Sequence, residues 1–396
     1  MNSVPIAVCI IVEDLPVPFD RRVWQEARAL AAAGYRVSVI CRKSGPYRAG
    51  RETLDGIEIY RHAIFEASTP AEYLVEYTWA LLAQWALALR VYGRTRFRVL
   101  HACNPPDTIF LVALFFKLLG VRFIFDHHDL NPELYEAKFG RKGFFYRLVA
   151  LAERWTFRTA DVSVATNESY REIAVRRGHM PPEDVFVVRS CPDLAALPAP
   201  HPDARLKRGH RFLVAYLGTM GPQDGINLLL DAVGAIASAR DDTMFVLIGG
   251  GTEVERLKSM TTAKGLNGVV EFTGRIADDI LAAYLSTADV CVAPDPKNAM
   301  NDKSTMNKIL QYMAYARPVV LFDLTEGRRS AGEAALYARP NDPRDFATQI
   351  LKLLDSESLR QQLGARGRRR IEESLNWDEE KQHLLAAYAR ALAVAL

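Results

Sequence analysis

The chain has 396 residues, of which 49% are hydrophobic and 24% charged, and its formal net charge is +3. This length predicts two or three domains, because a single core rarely grows beyond about 250 to 300 residues. The near-neutral charge gives no indication of nucleic-acid binding, although basic residues outnumber acidic ones by 25 to 22 through Ala195.

The first apolar segment, IAVCIIV, predicts a strand and not a signal peptide, because neither a basic segment nor a cleavage site accompanies it. The five cysteines are scattered without a CxxC pair: Cys9, Cys41, Cys103, Cys191 and Cys291. This pattern argues against a disulfide framework or a structural zinc site, and it predicts buried, unreactive thiols in a reducing cytosol.

Short apolar strands alternate with helices through the first half of the chain. IAVCIIV is followed by the helical pattern RRVWQEARALAAAG, which ends on Gly34, and then by the strand YRVSVIC. Further strands are FRVLHAC, VRFIFDHH, DVSVAT and DVFVVRS, with helices around Thr108–Leu119 and Phe144–Arg158. Continuous apolar strands joined by helices predict a parallel sheet that is covered on both faces.

Two helical segments of this half raise the question of a membrane. Tyr73–Tyr92 is long enough to span a bilayer, but it carries Glu76, Gln84 and Arg90, so we predict an amphipathic helix that covers the sheet. Lys138–Arg158 combines six basic residues and one acid with several aromatic residues. Some of these aromatics are expected in the core, but the pattern also suits an anionic bilayer surface, and we predict an electrostatic peripheral contact there.

The alternation pauses at Cys191–His210, which has four prolines and no strand pattern and is typical of a linker. A second series of strands and helices follows, from RFLVAYLG to PVVLFD. We predict one domain over residues 1–195, a second over 196–375, and a C-terminal helix over 376–396 that packs back on the first. Two doubly wound domains are expected to bind ligand at the carboxyl ends of their strands, in the cleft between them.

Two segments resemble a known family. FDRRVWQEARALAAAGYRVSVI near the start and NKILQYMAYARPVV, Asn307–Val320, are similar to retaining family 4 glycosyltransferases of the group 1 type. The resemblance covers nearly the whole chain and implies an α/β, GT-B fold, in which two Rossmann-like parallel-sheet domains face each other across a cleft. It implies that the first domain binds the acceptor, that the second binds a nucleotide-sugar donor, and that no metal cofactor is required.

In the first domain the resemblance points to loops that follow strands. The loop Glu13–Arg22 is glycine-rich in the family but carries prolines here. Asp20 is expected to cap the next helix, and Arg21 and Arg22 follow it at a helix N-terminus, where cations are unfavourable unless an anion is nearby. A solvated pair of arginines is the alternative.

The segments HACNPPD and FDHHDLNPE also follow strands. His128 matches the family histidine that contacts the donor sugar or the acceptor, and we predict catalytic roles for His128 and Arg21. The predicted acceptor-binding residues are Asp20, Arg22, His101 and Asp129. The adjacent histidines with Asp126 and Asp129 also raise the alternative of a metal site, although no third ligand is apparent from the spacing.

In the second domain the segment YLGTMGPQDGINLLL departs from the family. Thr219 and Asp224 stand where the family has an arginine and a lysine that bind the diphosphate. The loop still offers backbone N–H groups to an anion, with Gly218 and Thr219 as predicted contacts. IGGGTE is explained equally well by a tight turn, and Arg275 is expected either to contact the nucleotide or to lie on the surface.

The segment AMNDKSTMNKILQYMAYARPVV carries the family's two-glutamate motif, but Lys303 and Gln311 replace the glutamates. Gln311 can still bond ribose hydroxyls. A helix beginning at Ser304 would seat the diphosphate, with Lys308 supplying the missing cation; a solvated Lys308 is the alternative. The predicted donor-binding residues are Gly218, Thr219, Arg275, Asp302, Lys303, Ser304, Thr305, Lys308 and Gln311, and Lys308 is also predicted to be catalytic.

We therefore expect a retaining transferase that moves a hexose from a nucleoside diphosphate, UDP in preference to GDP, to a hydroxyl acceptor in a glycan, a glycolipid or a small molecule. The leaving phosphate is expected to help take the acceptor proton, so no strong enzyme base is required. Two alternatives stay open. The substitutions at the donor loops fit a nucleotide-binding relative without catalysis, and the fold also accommodates a nucleotide-sugar epimerase.

Overall fold

The computed structural model describes residues 5–64, 70–140 and 142–393, with the backbone alone at 70–75, 77 and 137–139. Arg141 and the side chains of Lys138 and Phe139, which belong to the predicted membrane segment, therefore lie outside the described residues. The chain divides into two compact units, Met1–Ser190 with Glu380–Leu396, and Cys191–Glu379. The boundaries predicted after residues 195 and 375 lie a few residues from these.

The N-terminal unit is built on a sheet of eight strands in its described residues. Strands β1 to β8 are Ala7–Ile11, Arg36–Arg42, Arg51–Leu54, Ile57–His62, Val99–Cys103, Arg122–His127, Val162–Ala165 and Val185–Val187. Their order is β3-β4-β2-β1-β5-β6-β7-β8. All neighbours are parallel except β3 and β4, which form an antiparallel hairpin at the edge. The parallel sheet confirms the prediction, whereas the hairpin was not predicted.

Helices cover this sheet on both faces. Helices α1 to α6 are Arg21–Ala32, Pro70–Thr95, Phe110–Lys117, Asn131–Phe139, Phe144–Thr159 and Glu168–Arg176. Asp20 caps α1 by accepting a hydrogen bond from the Val23 N–H, as predicted. Helix α2 packs on β1, β2 and β4 and buries Ala88 and Val91, which confirms a sheet-covering helix. Within the described ranges, no helix combines the length and the apolar character that a bilayer crossing requires.

The C-terminal unit contains a six-stranded sheet in which every neighbouring pair is parallel. Strands β9 to β14 are Phe212–Leu217, Thr243–Ile248, Val270–Gly274, Val290–Ala293, Val319–Phe322 and Ala335–Ala338, in the order β11-β10-β9-β12-β13-β14. Helices α7 to α13 are Ile226–Ala239, Val254–Ala263, Asp278–Thr287, Asn307–Ala314, Thr325–Ala331, Pro343–Leu354 and Glu357–Glu373. This second doubly wound sheet also agrees with the prediction.

The last helix, α14, Trp377–Ala393, runs from the end of the C-terminal unit into the N-terminal unit. Its Tyr388 is fully buried, packs edge-on against Tyr35 at a ring separation of 5.6 Å, and lies 2.8 Å from Nδ1 of His101. The end of the chain therefore completes the core of the unit that the first residues begin.

The predicted linker Cys191–His210 is not a free spacer. It contains a short 3-10 helix at Ala204–Lys207, and Leu194 and Leu197 pack against the core of the C-terminal unit. Apolar side chains between the prolines hold it on this unit. All five cysteines are buried and unpaired, as expected from their spacing.

Candidate active site

A buried polar cluster lies at the carboxyl edge of the N-terminal sheet. Parallel strands place their carboxyl ends at one edge, so the ends of β5 and β6 meet the start of α1 there. Asp126 near the end of β6 is fully buried and lies between Arg22 of α1 and His101 of β5. A carboxylate in this position is stable only when it is paired and hydrogen-bonded.

Arg22 provides that pairing. Its Nη2 lies 2.9 Å from Oδ1 of Asp126 and its Nε 3.3 Å from Oδ2, so the contact uses both oxygens. Its Nη1 donates to the carbonyl of Val188 at 2.7 Å. Nearby positive charge, chiefly that of Arg22, outweighs burial and holds the pKa of Asp126 well below its usual range.

The same carboxylate holds His128. Nε2 of this imidazole lies 2.6 Å from Oδ2 of Asp126, and burial, which would lower its pKa, is outweighed by the carboxylate, so the pKa is raised well above its usual value. Nε of Arg22 lies 3.0 Å from the same nitrogen, so His128 contacts both members of the Arg22–Asp126 pair. The side chain is partly exposed, and Nδ1 has no hydrogen-bond partner among the described residues. His128 can thus donate a hydrogen bond through Nδ1 from a ring whose orientation is fixed.

His101 does not fit its predicted role as an acceptor ligand. It is fully buried, its Nδ1 lies 2.8 Å from the hydroxyl of Tyr388, and its Nε2 lies 3.3 Å from Asp126. Burial alone would lower its pKa, but the bond with Asp126 prevails and raises the pKa to about 10. The side chain therefore supports Asp126 from behind and does not reach a ligand here.

The other predicted acceptor-binding residues are also held by contacts within the N-terminal unit. Arg22 is nearly buried and engaged with Asp126, so it positions the cluster. Asp20 is nearly buried, and its carboxylate caps α1. Asp129 is half-buried, and its backbone N–H and carbonyl are both held by the side chain of Asn104. Arg21 is exposed at the first turn of α1.

The alternative of a metal site on adjacent histidines is not supported by the geometry. His127 is buried on the opposite side of the strand, 3.5 Å from Glu153, whereas His128 faces Asp126. In the described part of the chain, only His101, Cys103 and Asp126 bring three metal-binding atoms within 4.8 Å of one another. Arg22 already occupies the Asp126 carboxylate, and Nδ1 of His101 is engaged with the Tyr388 hydroxyl at 2.8 Å.

At the carboxyl edge of the C-terminal sheet, glycines let backbone turns pack against one another. A β-carbon on Gly249 would lie 1.9 Å from the carbonyl oxygen of Gly218, and one on Gly251 would lie 2.4 Å from that of Met220. The glycine run after β10 is therefore required by this close packing. Gly225, the residue just before α7, has φ +69°. A β-carbon there would lie 2.1 Å from the carbonyl oxygen of Pro294.

Lys308 lies in this edge, at the start of α10. Its Cε would be 3.2 Å from a β-carbon on Gly218, its Nζ lies 4.8 Å from the ring centre of Tyr216, and Nζ pairs with Oδ1 of Asp295 at 2.8 Å. Both charged side chains are almost buried. Lys308 is therefore not the solvated residue of the alternative interpretation, but its charge is already matched by a carboxylate.

Asp224 adds a second carboxylate to this edge. Its Oδ2 accepts a hydrogen bond from the Gly221 N–H at 2.8 Å, and burial raises its pKa although Lys308 lowers it. Thr219 offers its carbonyl to the hydroxyl of Tyr216 at 2.6 Å. With two carboxylates to one ammonium, the cluster lacks the net positive charge that the sequence led us to expect.

The prediction that a helix begins at Ser304 is wrong. Ser304 follows a 3-10 helix, Asn301–Lys303, and α10 begins at Asn307. Its hydroxyl donates to the carbonyl of Met300 at 2.9 Å, so it does not cap α10. Thr305 and Lys303 lie in the same half-buried turn.

Asp302 is also held within the unit. Its carboxylate accepts from the backbone N–H of Thr325 at 2.8 Å and pairs with Lys297 at 3.3 Å, and burial, which would raise its pKa, is outweighed so that the pKa is lowered. Asp302 therefore stabilises the start of α11. Gln311 is half-buried on α10, with no hydrogen bond of its side chain among the described residues. Arg275 lies beside the glycine run, with Cγ 4.0 Å from a β-carbon on Gly250.

Sequence reasoning missed two residues that organise these edges. Asp126 appeared only as a metal-ligand alternative, and Asp295 was not considered. Both are aspartates at or just after the end of a strand, in FDHHD and VAPD. An acid at the end of an apolar strand was the available signal, but the cationic partner lies on a different element, 104 residues from Asp126 and 13 residues from Asp295.

Comparison with known proteins decides the family. The model of a "Glycosyl transferase 4-like domain" matches residues 20–191, and that of "Glycosyl transferases group 1" matches residues 211–356. The chain belongs to the group 1, family 4 glycosyltransferases. This chain is 29% identical to the phosphatidyl-myo-inositol mannosyltransferase of Mycobacterium leprae strain TN over 207 residues, and the matched part is 52% of this chain and 51% of that enzyme. The chain thus spans about half the length of this curated relative.

Solved structures show the fold. The chain superposes on sucrose-phosphate synthase from Thermosynechococcus elongatus with a TM-score of 0.80 and 20% identity, over 98% of this chain and 100% of that one. It also superposes on HepE of Anabaena, solved in complex with UDP-glucose, with a TM-score of 0.73 and 14% identity, over 97% and 99% of the two chains. Both units of the chain are the parallel-sheet domains of a GT-B fold.

Proposed function

We propose that this protein transfers a hexose from a nucleoside diphosphate sugar to a hydroxyl acceptor, with retention of anomeric configuration. The observation that carries the proposal is that each unit matches its own glycosyltransferase model, residues 20–191 in one and residues 211–356 in the other. The acceptor is assigned to the N-terminal unit and the donor to the C-terminal unit.

The donor diphosphate is proposed to lie on the turn Gly218–Thr219. Gly218 has no side chain of its own, and Cε of Lys308 would lie 3.2 Å from a β-carbon there. In the reaction the bond between the anomeric carbon and the diphosphate oxygen breaks, and charge develops on that oxygen. A nearby ammonium stabilises this charge more in the transition state than in the ground state.

Retention is proposed to proceed on one face of the sugar. The acceptor hydroxyl forms the new bond on the face that the diphosphate leaves, and the departing phosphate oxygen takes the acceptor proton. His128 is proposed to donate a hydrogen bond to a sugar hydroxyl through Nδ1, because its other nitrogen is held by Asp126. Positioning then contributes most of the barrier lowering, and no enzyme base is needed.

We propose UDP in preference to GDP as the donor nucleotide, no resident metal, and an acceptor that includes lipid-linked hydroxyls. HepE was solved with UDP-glucose and the Mycobacterium leprae relative is a phosphatidyl-myo-inositol mannosyltransferase. These names describe those proteins and motivate the choice of test compounds. The five buried, unpaired cysteines support a cytoplasmic location.

The test combines ligand binding with turnover. Melting temperature is measured with a panel of nucleoside diphosphates, because a ligand that binds the native state raises it. Release of nucleoside diphosphate is then measured from UDP- and GDP-hexoses without acceptor. Stabilisation by a diphosphate together with slow donor hydrolysis is expected. The proposal is overturned if the nucleotide sugar is returned with an altered sugar still attached, which is the outcome for an epimerase.

A nucleotide-binding protein without catalysis is a second candidate. The observation in its favour is the Lys308–Asp295 pair at 2.8 Å, which leaves the donor edge without a net cation. Such a protein would be stabilised by the diphosphate and would release none from the nucleotide sugars, so the same two measurements separate the candidates.

A further inference from the structure

Helix α5 of the N-terminal unit turns a continuous apolar stripe to solvent. Phe144, Leu148, Leu151 and Trp155 recur every three or four residues, so they share one side of the helix. All four are exposed, Phe144 by 70%. Isolated apolar side chains on a surface need no explanation, but a stripe of this length is uncommon in a soluble protein.

Two neighbouring helices extend the stripe. On α3, Leu111 and Leu114 are exposed at the same helical spacing, and Leu118, which follows the helix, is 87% exposed. On α2, Trp79 and Leu82 are exposed in the same way. These exposed sides of α2, α3 and α5 are called the three-helix face below.

Aromatic contacts join the three helices into one surface. The rings of Trp85 on α2 and Phe115 on α3 lie 5.5 Å apart, and those of Phe110 on α3 and Trp155 on α5 lie 6.3 Å apart. The apolar residues are therefore neighbours in space and form one patch. Such a patch marks a surface that is covered when the protein is at work.

The exposed charged side chains of α5 are all positive. Arg147, Arg154 and Arg158 follow one another at spacings of seven and four residues, so they form a row beside the apolar stripe. All three are exposed. The single acid of this helix, Glu153, is fully buried and pairs with Arg177 at 2.6 Å. The outward charge of α5 is therefore positive.

Two of these arginines also line a cavity of about 470 Å³ beside α5. The acids of its lining, Asp161 and Asp184, are already paired, with Lys117 at 2.9 Å and with Arg390 at 2.7 Å. Neither Arg154 nor Arg158 has a carboxylate partner in the described chain, and Arg158 lies over the ring of Trp155 at 5.4 Å. Unpaired guanidinium groups beside a cavity are suited to phosphate.

We propose that the three-helix face docks on an anionic phospholipid bilayer. Apolar rings enter the boundary below the headgroups while the arginine row meets lipid phosphates, which is the arrangement of an interfacial amphipathic helix. A second copy of this chain would place one arginine row near another, so charge complementarity favours the lipid surface. The inference does not depend on the transferase activity. It adds an apolar contribution to the electrostatic contact that the sequence predicted.

The experiment is flotation of the full-length protein with vesicles of phosphatidylcholine alone and of phosphatidylcholine mixed with phosphatidylglycerol. Binding to the mixed vesicles is expected, with weaker binding to the neutral ones and a decrease as salt is raised. Equal binding to both vesicle types, or binding to neither, overturns the proposal.

Two double variants separate the contributions. Phe144→Ser with Leu148→Ser is expected to lower the partition coefficient about tenfold or more, because two apolar side chains leave the interface. Arg147→Gln with Arg154→Gln is expected to lower it about 25-fold on anionic vesicles only, at about fivefold for each arginine. All four side chains are exposed, so the fold is expected to be retained, which circular dichroism checks.

Matched controls come from the C-terminal unit. Ile280→Ser removes an apolar side chain that is 46% exposed, and Arg344→Gln with Arg369→Gln removes two exposed arginines. Both controls are expected to bind like the wild type. If a control loses binding equally, the three-helix face is not the docking surface. If the serine variant instead converts a dimer to a monomer and the wild type does not float, the face is an interface between copies and the proposal fails.

Discussion

Lys308 is the residue whose predicted role the structure changes most. The sequence placed a free cation at the diphosphate, whereas the structure pairs Nζ with Asp295 at 2.8 Å, with both side chains nearly buried. Removing one partner leaves the other charged and unpaired, at a cost of about 3 to 5 kcal/mol. A simple Lys308→Ala variant therefore loses stability and activity together, and the two causes must be separated.

We expect Lys308→Met to lower both stability and turnover, and Lys308→Met combined with Asp295→Asn to regain most of the stability. If the ammonium stabilises the leaving diphosphate, the activation free energy of the double variant is still about 2 to 4 kcal/mol higher than that of the wild type. Urea unfolding and the rate of nucleoside diphosphate release are measured on each variant. Recovery of turnover in the double variant would show that Lys308 serves only to neutralise Asp295.

His101 makes stability depend on pH. Its folded-state pKa of about 10 lies above the ordinary value of 6.5, so its stabilising contribution is complete below pH 6.5 and is lost as the pH rises through about 10. The free energy of unfolding is expected to fall from neutral pH to pH 10, with a smaller slope in His101→Gln.

Ring nitrogen chemical shifts test directly whether the His101 imidazole is protonated in the folded protein. In the folded protein at pH 8 the His101 imidazole is expected to carry both ring protons, whereas in concentrated urea at the same pH it is expected to be neutral. A neutral His101 in the folded protein would contradict the assignment of Asp126 as its counter-ion.

Among the elements, α7 depends on a single glycine. Gly225 and Gly265 both have φ +69°, but a β-carbon on Gly225 would lie 2.1 Å from the Pro294 carbonyl, whereas one on Gly265 meets nothing within 4 Å. Gly265→Ala is expected to cost about 1 to 2 kcal/mol from backbone conformation alone. Gly225→Ala is expected to cost about 4 kcal/mol or more.

Urea unfolding of the two variants measures the difference, since the backbone conformation is matched and only the contact differs. Similar costs at the two glycines would mean that β12 and α7 separate easily, and the packing of this sheet edge would then be looser than described.

The sequence predicted most helices and parallel strands, because strands buried on both faces are continuously apolar and helices repeat every three or four residues. It missed the hairpin β3-β4, whose short strands are mostly polar. The pair Asp55-Gly56 between them was the available signal, since this dipeptide favours a two-residue hairpin turn. Local patterns of this kind can be recognised from the sequence alone.

The start of α10 shows a limit of such patterns. Ser304 and Thr305 have good capping side chains, yet the helix begins at Asn307 after Met306, which makes no side-chain cap. The Ser304 hydroxyl bonds the Met300 carbonyl instead. Two ion pairs organise the polar clusters at the two sheet edges: Asp126 with Arg22, and Asp295 with Lys308. Each pair joins residues of different elements, so the periodicity of the sequence could not reveal it.

At the scale of the whole molecule, the N-terminal unit depends on the last helix of the chain. Deletion of Glu380–Leu396 removes Tyr388 from His101 and opens the core against which Tyr35 packs. Hydrogen exchange is expected to rise by orders of magnitude in β1 and β5, while amides of β9 and β12 stay protected, because they belong to the other unit.

Tyr388→Phe is the conservative counterpart of this deletion. It keeps the ring and removes one hydrogen bond, so a cost of about 1 to 3 kcal/mol is expected from the unpaired imidazole nitrogen. If the deletion left exchange in β1 and β5 unchanged, the last helix would not be part of the N-terminal core.

The position of α14 also determines the order in which the two units of a nascent chain can complete their folding. A ribosome produces the whole C-terminal unit, Cys191–Glu379, before it produces Tyr388. During synthesis His101 and Asp126 are present while the hydroxyl that completes their cluster is still missing. The unit whose first residues are translated earliest is therefore completed only after the whole C-terminal unit has been synthesised.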